Sequence, residues 1–232
     1  MGRRFDFVGA RVIGPSHRAA GTPCQDALGG EGRRFGGWAA VADGVGSCSL
    51  SHIGSAAAVA ACRWAWLHWS RKRDADAASF TRLVEAHWRL ELGDVPPNDA
   101  CTTLLFAGVT AAGRVLVAQV GDGLLCMREH GRVVRLTPPR TGFGNQTDAL
   151  GDWRAPWFVD VFASAAPDLG FLLMTDGVSD DLVPDHDGEF FDWCVEDFLR
   201  APDGRARLSS ALDAWPVPHH SDDKTLAVLC TR

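Results

Sequence analysis

No Cys-x-x-Cys pair occurs in this sequence, and its seven cysteines (24, 48, 62, 101, 126, 194 and 230) are odd in number. That combination fits neither a disulfide framework nor a zinc ribbon, and it reads as reduced thiols of a cytoplasmic protein. Lysine is scarce. Lys72 and Lys224 are the two present, neither follows a glycine-rich run, and a phosphate-cradling P-loop is therefore absent. Long apolar segments are missing as well: the longest, 56–67, is interrupted by Arg63 and is too short to span a bilayer. Arg3 and Arg4 lead no apolar stretch of signal-peptide length, and Asp6 breaks the myristoylation pattern, so the expectation is a soluble protein with no membrane partner. Clustered basic residues are lacking too. The net charge is −6, with +3 on residues 1–116 and −9 on 117–232, which argues against a nucleic-acid partner. The one basic tract, 71–73, reads as the solvated end of a helix. There is no internal repeat.

What is present is ordinary globular composition: 232 residues, 46% hydrophobic and 22% charged, with 25 Gly and 12 Pro. A chain of this length buries roughly 70–75% of its unfolded surface without staples, and a single domain over 1–232 is expected. Apolar runs bounded by Gly predict strands at 5–13 and 35–42, joined by a Gly-rich loop. Helices are expected at 51–73, with Ile53, Ala57, Ala60, Trp64 and Leu67 as the apolar stripe, and at 79–92, where the prolines at 96 and 97 stop the chain. A meander of four antiparallel strands follows at 102–109, 114–120, 124–128 and 132–136. Residues 138–157 form a long polar loop. Further strands are expected at 158–162, 169–175 and 225–230, with helices at 189–199 and 205–214. Helices that come in blocks, rather than one per strand, indicate an α+β fold with mostly antiparallel sheets.

Three apolar runs end in Asp-Gly: Trp38 to Asp43-Gly44, Val115 to Asp122-Gly123, and Phe171 to Asp176-Gly177. Each delivers a carboxylate to a strand end, followed by a residue whose backbone can approach an ion closely. Asp222-Asp223 precedes the last strand and Gln25-Asp26 follows a turn. Taken singly, Asp-Gly is a common turn dipeptide. Together, carboxylates converging on a core's edge repel one another and call for cations, and oxygen-only ligands select Mg²⁺ or Mn²⁺.

The series Gln25-Asp26-Ala27, Ala42-Asp43-Gly44-Val45-Gly46, Thr102-Thr103-Leu104, Val120-Gly121-Asp122-Gly123, Thr175-Asp176-Gly177-Val178-Ser179-Asp180 and Asp222-Asp223-Lys224-Thr225 resembles the metal-dependent protein phosphatases of type 2C, bacterial branch. The resemblance keeps the motif order over nearly the whole chain. It implies a four-layer αββα sandwich of two mostly antiparallel sheets, with a binuclear Mn²⁺ or Mg²⁺ centre between them. By the same resemblance Asp43 bridges both ions, the Gly44 carbonyl joins one, and Asp176 and Asp222 hold the other. Asp26 holds a metal-bound water, and Asp122 and Asp180, with Asp176, hold a third, weaker ion. The Thr102-Thr103 pair packs behind the cluster, and 138–157 lies where the family carries its flap. The implied reaction is hydrolysis of phosphoserine or phosphothreonine by a water or hydroxide bridging the two ions, with no protein nucleophile. The implied partners are a phosphorylated protein and a cognate serine/threonine kinase or its targets.

The sequence departs from that pattern at three positions. Gly21 stands where many relatives have a phosphate-gripping Arg, and His17 or Arg18 is the expected substitute from the preceding loop, since either can donate to a phosphate. Val45 stands where eukaryotic members have His, and Gln25 where others have Glu. Gly21 and Gln25 motivate an alternative, a catalytically weak pseudophosphatase that binds phosphoproteins or a kinase. Three other signals are set aside. Cys126 to Arg132 and Cys194 to Arg200 fit the Cys-x₅-Arg spacing of thiol phosphatases, but one spans a hairpin and the other a helix carrying Glu196 and Asp197. The histidines at 219 and 220 lack a third nitrogen or thiolate partner at zinc spacing. Trp64, Trp66, Trp69 and Trp88 read as helix packing.

Overall fold

The structure, a computed structural model, describes residues 3–138, 148–152, 154–183, 185–217 and 220–232. Among these, ten strands form two five-stranded sheets, and every pairing is antiparallel. One sheet has the order β1 (Phe5–Val12), β10 (Lys224–Thr231), β9 (Gly170–Met174), β6 (Leu124–Glu129), β7 (Arg132–Arg135). The other runs β2 (Ala27–Arg33), β3 (Gly36–Ala42), β4 (Leu104–Val109), β5 (Arg114–Val120), β8 (Phe158–Ala163). The period of two sorts their side chains into layers. Ala39, Val41, Leu105 and Ala107 face Phe171, Leu173, Ala227 and Leu229 between the sheets. Ala40, Ala42, Leu104 and Phe106 point the other way, onto helices α2 (Ser51–Trp69) and α3 (Ala77–Leu92). On the far side Leu172, Met174, Leu226 and Val228 pack against α5 (Asp187–Cys194), a π-helical turn (Val195–Leu199) and α6 (Gly204–Asp213). The expected four-layer αββα sandwich is the observed one.

Four local expectations need correction. The Gly-rich loop expected between the first strands is β2, ALGGEGR, fully paired with β3. Its glycines are there for closeness: a Cβ on Gly30 would sit 2.2 Å from the Phe7 ring, and one on Gly32 2.4 Å from the Phe5 carbonyl oxygen. Low strand propensity is outweighed by the approach of β1 over β2. The loop holding residues 15–20 is a short helix, α1 (Pro15–Ala20), ended by Gly21 at φ 67°.

The expected meander is two hairpins in different sheets, β4–β5 and β6–β7. Gly121 and Gly123, at φ 86° and 96°, turn the chain from one sheet to the other, and a Cβ on Gly123 would meet the Met174 carbonyl oxygen at 2.7 Å. The stripe expected on α2 is also rotated. Gly54, Ala58, Ala61, Ala65 and Trp69 are its buried line, while Trp64 is 40% exposed and stacks on His87. Small residues let α2 lie close to the sheet and to residue 100, where a Cβ on Gly54 would come within 1.8 Å of the Ala100 carbonyl oxygen. In an Ala-rich helix this closeness of approach, not hydrophobicity, sets which face is inward. Trp66, Trp69 and Trp88 are core residues as expected.

All seven cysteines are free. Among the described residues no helix is long and apolar enough to cross a membrane. Most of the flap-like loop, residues 139–147 and 153, lies outside the described residues, as does position 219.

Candidate metal and phosphate site

The strand ends that carry the Asp-Gly motifs open onto one cavity of about 370 Å³, lined by Asp43, Gly44, Asp122, Asp176 and Asp222, with His17 at its edge. Asp43 leaves the end of β3 with its backbone clamped. Its carbonyl accepts from Thr103 N (2.7 Å) and Thr102 Oγ1 (2.8 Å), and its N–H donates to Thr103 Oγ1 (3.1 Å). Thr102 thus sits behind the carboxylate as expected, while Thr103 also lines the cavity. Gly44 donates to the Gln25 carbonyl at 3.1 Å, and a Cβ on it would strike Ser51 at 2.8 Å, so only glycine lets this loop meet the start of α2.

Asp176 opens the short helix α4 (Asp176–Ser179) after β9, and Asp180 follows one turn later. Gly177 allows that turn to close on β10, where its Cβ would stand 1.8 Å from the Asp223 carbonyl oxygen. Asp122 arrives on the Gly121–Gly123 crossover between the sheets. Asp26 does not line the cavity. It lies behind Asp43, 1% exposed, with Thr175 Oγ1 donating to its Oδ2 at 3.0 Å. Thr175 in turn accepts from Thr225 N at 3.1 Å. Thr175 opens the motif that carries Asp176-Gly177, but the sequence reading assigned it no role of its own.

The neighbouring carboxyls at 222 and 223 divide their work. Asp222 lines the cavity, while Asp223 is buried, accepts from two backbone donors, Gly14 N and Gln25 N at 2.6 Å each, and pairs with His17, whose Nδ1 lies 3.0 Å from its Oδ2. His17 is thereby placed at the cavity. Arg18 is turned away from it, donating to Asp213 Oδ1 at 2.8 Å and to the Ile13 carbonyl, so of the two candidates only His17 reaches the site. Among the described lining residues there is no Arg or Lys. Gly21, at the end of α1, has nothing within 4 Å of where a side chain would begin. His220 bonds to Asp181 Oδ2 at 2.7 Å and belongs to a neighbouring patch.

Burial raises Asp43 well above the usual carboxylate range, and Asp26, Asp176 and Asp222 push it further the same way. Asp176 is raised by burial, then by Asp122 and Asp222. Asp26 is raised by burial against the hydrogen bonds it accepts. Among the described residues no three His, Cys, Asp or Glu side chains are drawn into a ready-made ion cage. The close contacts are the pairs Asp26–Asp43 and Asp43–Asp176. Among the same residues, Asp26 Oδ1 and Asp176 Oδ1 are buried without a hydrogen-bond donor. A crowded, under-satisfied, all-oxygen set of this kind fits a hard divalent cation rather than zinc or copper.

The two thiols with Cys-x₅-Arg spacing are no phosphate loop. Cys126 is buried in β6 and Cys194 at the end of α5, and burial pushes both thiols up, Cys126 to about 12.

The sandwich and its carboxylate-lined strand ends define the class of protein in which the comparisons place the chain. The family model described as Protein phosphatase 2C matches residues 13–215, and the chain belongs to that family. Its fold is similar to that of the catalytic domain of the serine/threonine protein phosphatase PstP, solved with two manganese ions (TM-score 0.70, 18% identity, 98% of each chain covered). It is similar also to the Ser-Thr phosphatase MsPP from Mycobacterium smegmatis, solved with cacodylate (TM-score 0.65, 21% identity, 96% and 97% covered). RsbX, solved with magnesium, aligns at TM-score 0.63 and 15% identity over 100% of this chain and 98% of that one. A search of curated protein sequences finds no match.

Proposed function

We propose that this chain is a metal-dependent phosphoprotein phosphatase acting on phosphoserine or phosphothreonine in the cytoplasm, its partners being a serine/threonine kinase or that kinase's targets. The observation that carries the reading is the row Asp26, Asp43 and Asp176, with Asp43 in contact with both others and two buried carboxylate oxygens that no donor satisfies. Asp43, the Gly44 carbonyl, Asp176 and Asp222 would hold two Mn²⁺ or Mg²⁺ ions, Asp26 a water, and Asp122 and Asp180 with Asp176 a third ion. When bound, such ions supply an activated water and neutralise charge on the phosphoryl oxygens.

The remaining work falls to the chain itself. Asp223 holds His17 through Nδ1 and leaves Nε2 as the ring nitrogen available to a phosphoryl oxygen, a role that Arg fills in many relatives. The Thr102-Thr103 clamp fixes the Asp43 backbone, so its carboxylate is positioned before substrate arrives. No side chain is assigned as nucleophile.

The cavity's lack of Arg and Lys among its described lining residues favours a second reading, a weak or inactive phosphatase that binds phosphoproteins. Hydrolysis of a small aryl phosphate and a phosphothreonine peptide with Mn²⁺, Mg²⁺ or EDTA tests both. Metal-dependent turnover that vanishes in Asp43→Asn and Asp176→Asn supports the enzyme. A wild type that binds Mn²⁺ by calorimetry yet turns over neither substrate overturns it in favour of the binding protein.

A further inference from the structure

Cys48 and Cys101 meet beside the loop that carries Gly44. The Cys48 thiol donates to the Asn98 carbonyl at 3.3 Å, and the Cys101 thiol reaches the same carbonyl and that of Pro97 at 3.6 Å each. The two sulfurs thus converge on one acceptor, the Asn98 carbonyl oxygen. Both are half-buried, whereas Cys62, Cys126, Cys194 and Cys230 are buried. Cys24, the other half-buried thiol, reaches the Val12 carbonyl at 4.0 Å and lies away from this pair.

The backbones on either side are already tied. Val45 N donates to the Cys101 carbonyl at 3.0 Å, Cys48 N to the Val45 carbonyl at 2.8 Å, and Leu50 N to the Asp99 carbonyl at 2.8 Å. The two loops are therefore already held side by side around the sulfurs, which favours closure of a disulfide between them.

We propose that Cys48 and Cys101 are a reversible dithiol–disulfide site, oxidised by peroxides, that staples the loop following Asp43-Gly44 to the segment entering β4. The step balances in two parts. One thiol takes an oxygen from the peroxide to give a sulfenic acid and release water; the second thiol then displaces hydroxide from that sulfur, forming the S–S bond and a second water. The pair loses two electrons and two hydrogens, and the peroxide is reduced. Burial, with Cys48 and Asp152 adding to it, pushes the Cys101 thiol up to about 11, which disfavours Cys101 as the sulfur that first meets the oxidant. The crosslink encloses α2 and α3 in a covalent loop.

The test treats the full chain with one equivalent of hydrogen peroxide, alkylates the remaining thiols and digests without reductant. The expected product is a Cys48–Cys101 linked peptide pair about 2 Da lighter than its reduced components, released by dithiothreitol. The oxidised protein is expected to melt roughly 5 to 10 °C higher, a shift absent from Cys48→Ser and from Cys101→Ser. The proposal is overturned if both thiols remain alkylatable in the wild type, if Cys48 becomes a sulfinic acid without a crosslink, or if Cys48→Ser keeps the thermal shift. These readouts are covalent and thermal, so their failure leaves the phosphatase reading untouched.

Discussion

Asp223 Oδ2 lies 3.0 Å from His17 Nδ1 and 2.6 Å from Gln25 N, while its Oδ1 takes Gly14 N at 2.6 Å. One carboxylate from just before the last strand therefore gathers the helix after β1 and the turn before β2. Burial alone would raise its pKa, but the Gly14 N–H, His17 and the Gln25 N–H outweigh burial and hold it below the ordinary value. A depressed folded-state pKa stabilises above the unfolded value, roughly pH 4, and that contribution is lost as pH falls through the folded value. Asp223→Asn is expected to lose about 2–4 kcal/mol at pH 7 and clearly less near pH 3, read from paired urea unfolding curves. Equal losses at both pH values would refute this account of Asp223.

His17→Ala separates positioning from folding. Loss of one hydrogen bond to a charged phosphoryl group costs about 1.5–3 kcal/mol, so kcat/KM toward an aryl phosphate should fall roughly 10- to 100-fold. Arg18, held by Asp213, is the control: Arg18→Ala should leave kcat/KM within about twofold. If the two variants behave alike, His17 has no special place at the phosphate.

The crowded carboxylates make a prediction about metal removal. Asp43 and Asp176 are raised by burial first and by neighbouring carboxylates after it. For an acid raised in this way, stability is fully present below the unfolded value of about 3.9 and is lost as pH climbs through the folded one. The metal-free protein is thus increasingly strained from mildly acid to neutral pH, and a bound cation relieves it. Mn²⁺ at 1 mM, roughly a hundredfold above a micromolar-range Kd, should raise Tm more at pH 7.5 than at pH 5. Asp43→Asn should raise Tm in EDTA while shrinking the Mn²⁺ response. Differential scanning fluorimetry in the two buffers decides it, and a larger shift at pH 5 would contradict the assignment.

Gly54→Ala sets two effects against each other. Alanine gains about 1 kcal/mol of helix propensity over glycine. Its Cβ, however, would stand 1.8 Å from the Ala100 carbonyl oxygen, a backbone atom that cannot swing aside. Overpacking of this kind costs about 1–3 kcal/mol and occasionally more, so net destabilisation of about 1–2 kcal/mol is expected in chemical denaturation. A stabilised variant would mean that α2 can draw back from the sheet.

Arg114 lies with its guanidinium 3.7 Å over the Trp69 ring and donates to the carbonyls of Lys72, Arg73 and Ala75. This planar fork closes the turn after α2. Arg114→Lys keeps the charge but loses the fork and the stacking, and Tm should fall by roughly 2–6 °C. An unchanged Tm would show that charge alone suffices there.

The sequence by itself determined the strand ends and what they carry. An apolar run followed by Asp-Gly is a local pattern, and the unbroken apolar runs of β3, β4 and β9 follow from burial on both faces. Asp43, Asp122 and Asp176 were legible for that reason and Asp222 from its place just ahead of the last strand, and the order of the motifs carried the architecture with them. Only the tertiary structure decided the matters that depend on how closely remote segments approach. It made a strand of the glycines at 29, 30 and 32, because Val59 closes on Gly29 and Phe7 and Phe5 lie across Gly30 and Gly32. It turned α2 so that Gly54 and Ala58 face inward and Trp64 outward. It sent β5 and β6 to different sheets through two glycines of positive φ. It also gave Asp222 to the cavity and Asp223 to His17, across more than 200 residues of chain, while Asp213 drew Arg18 away. Neighbouring residues of identical chemistry cannot be told apart by propensity, since what separates them is the partner each meets when distant strands and helices close together.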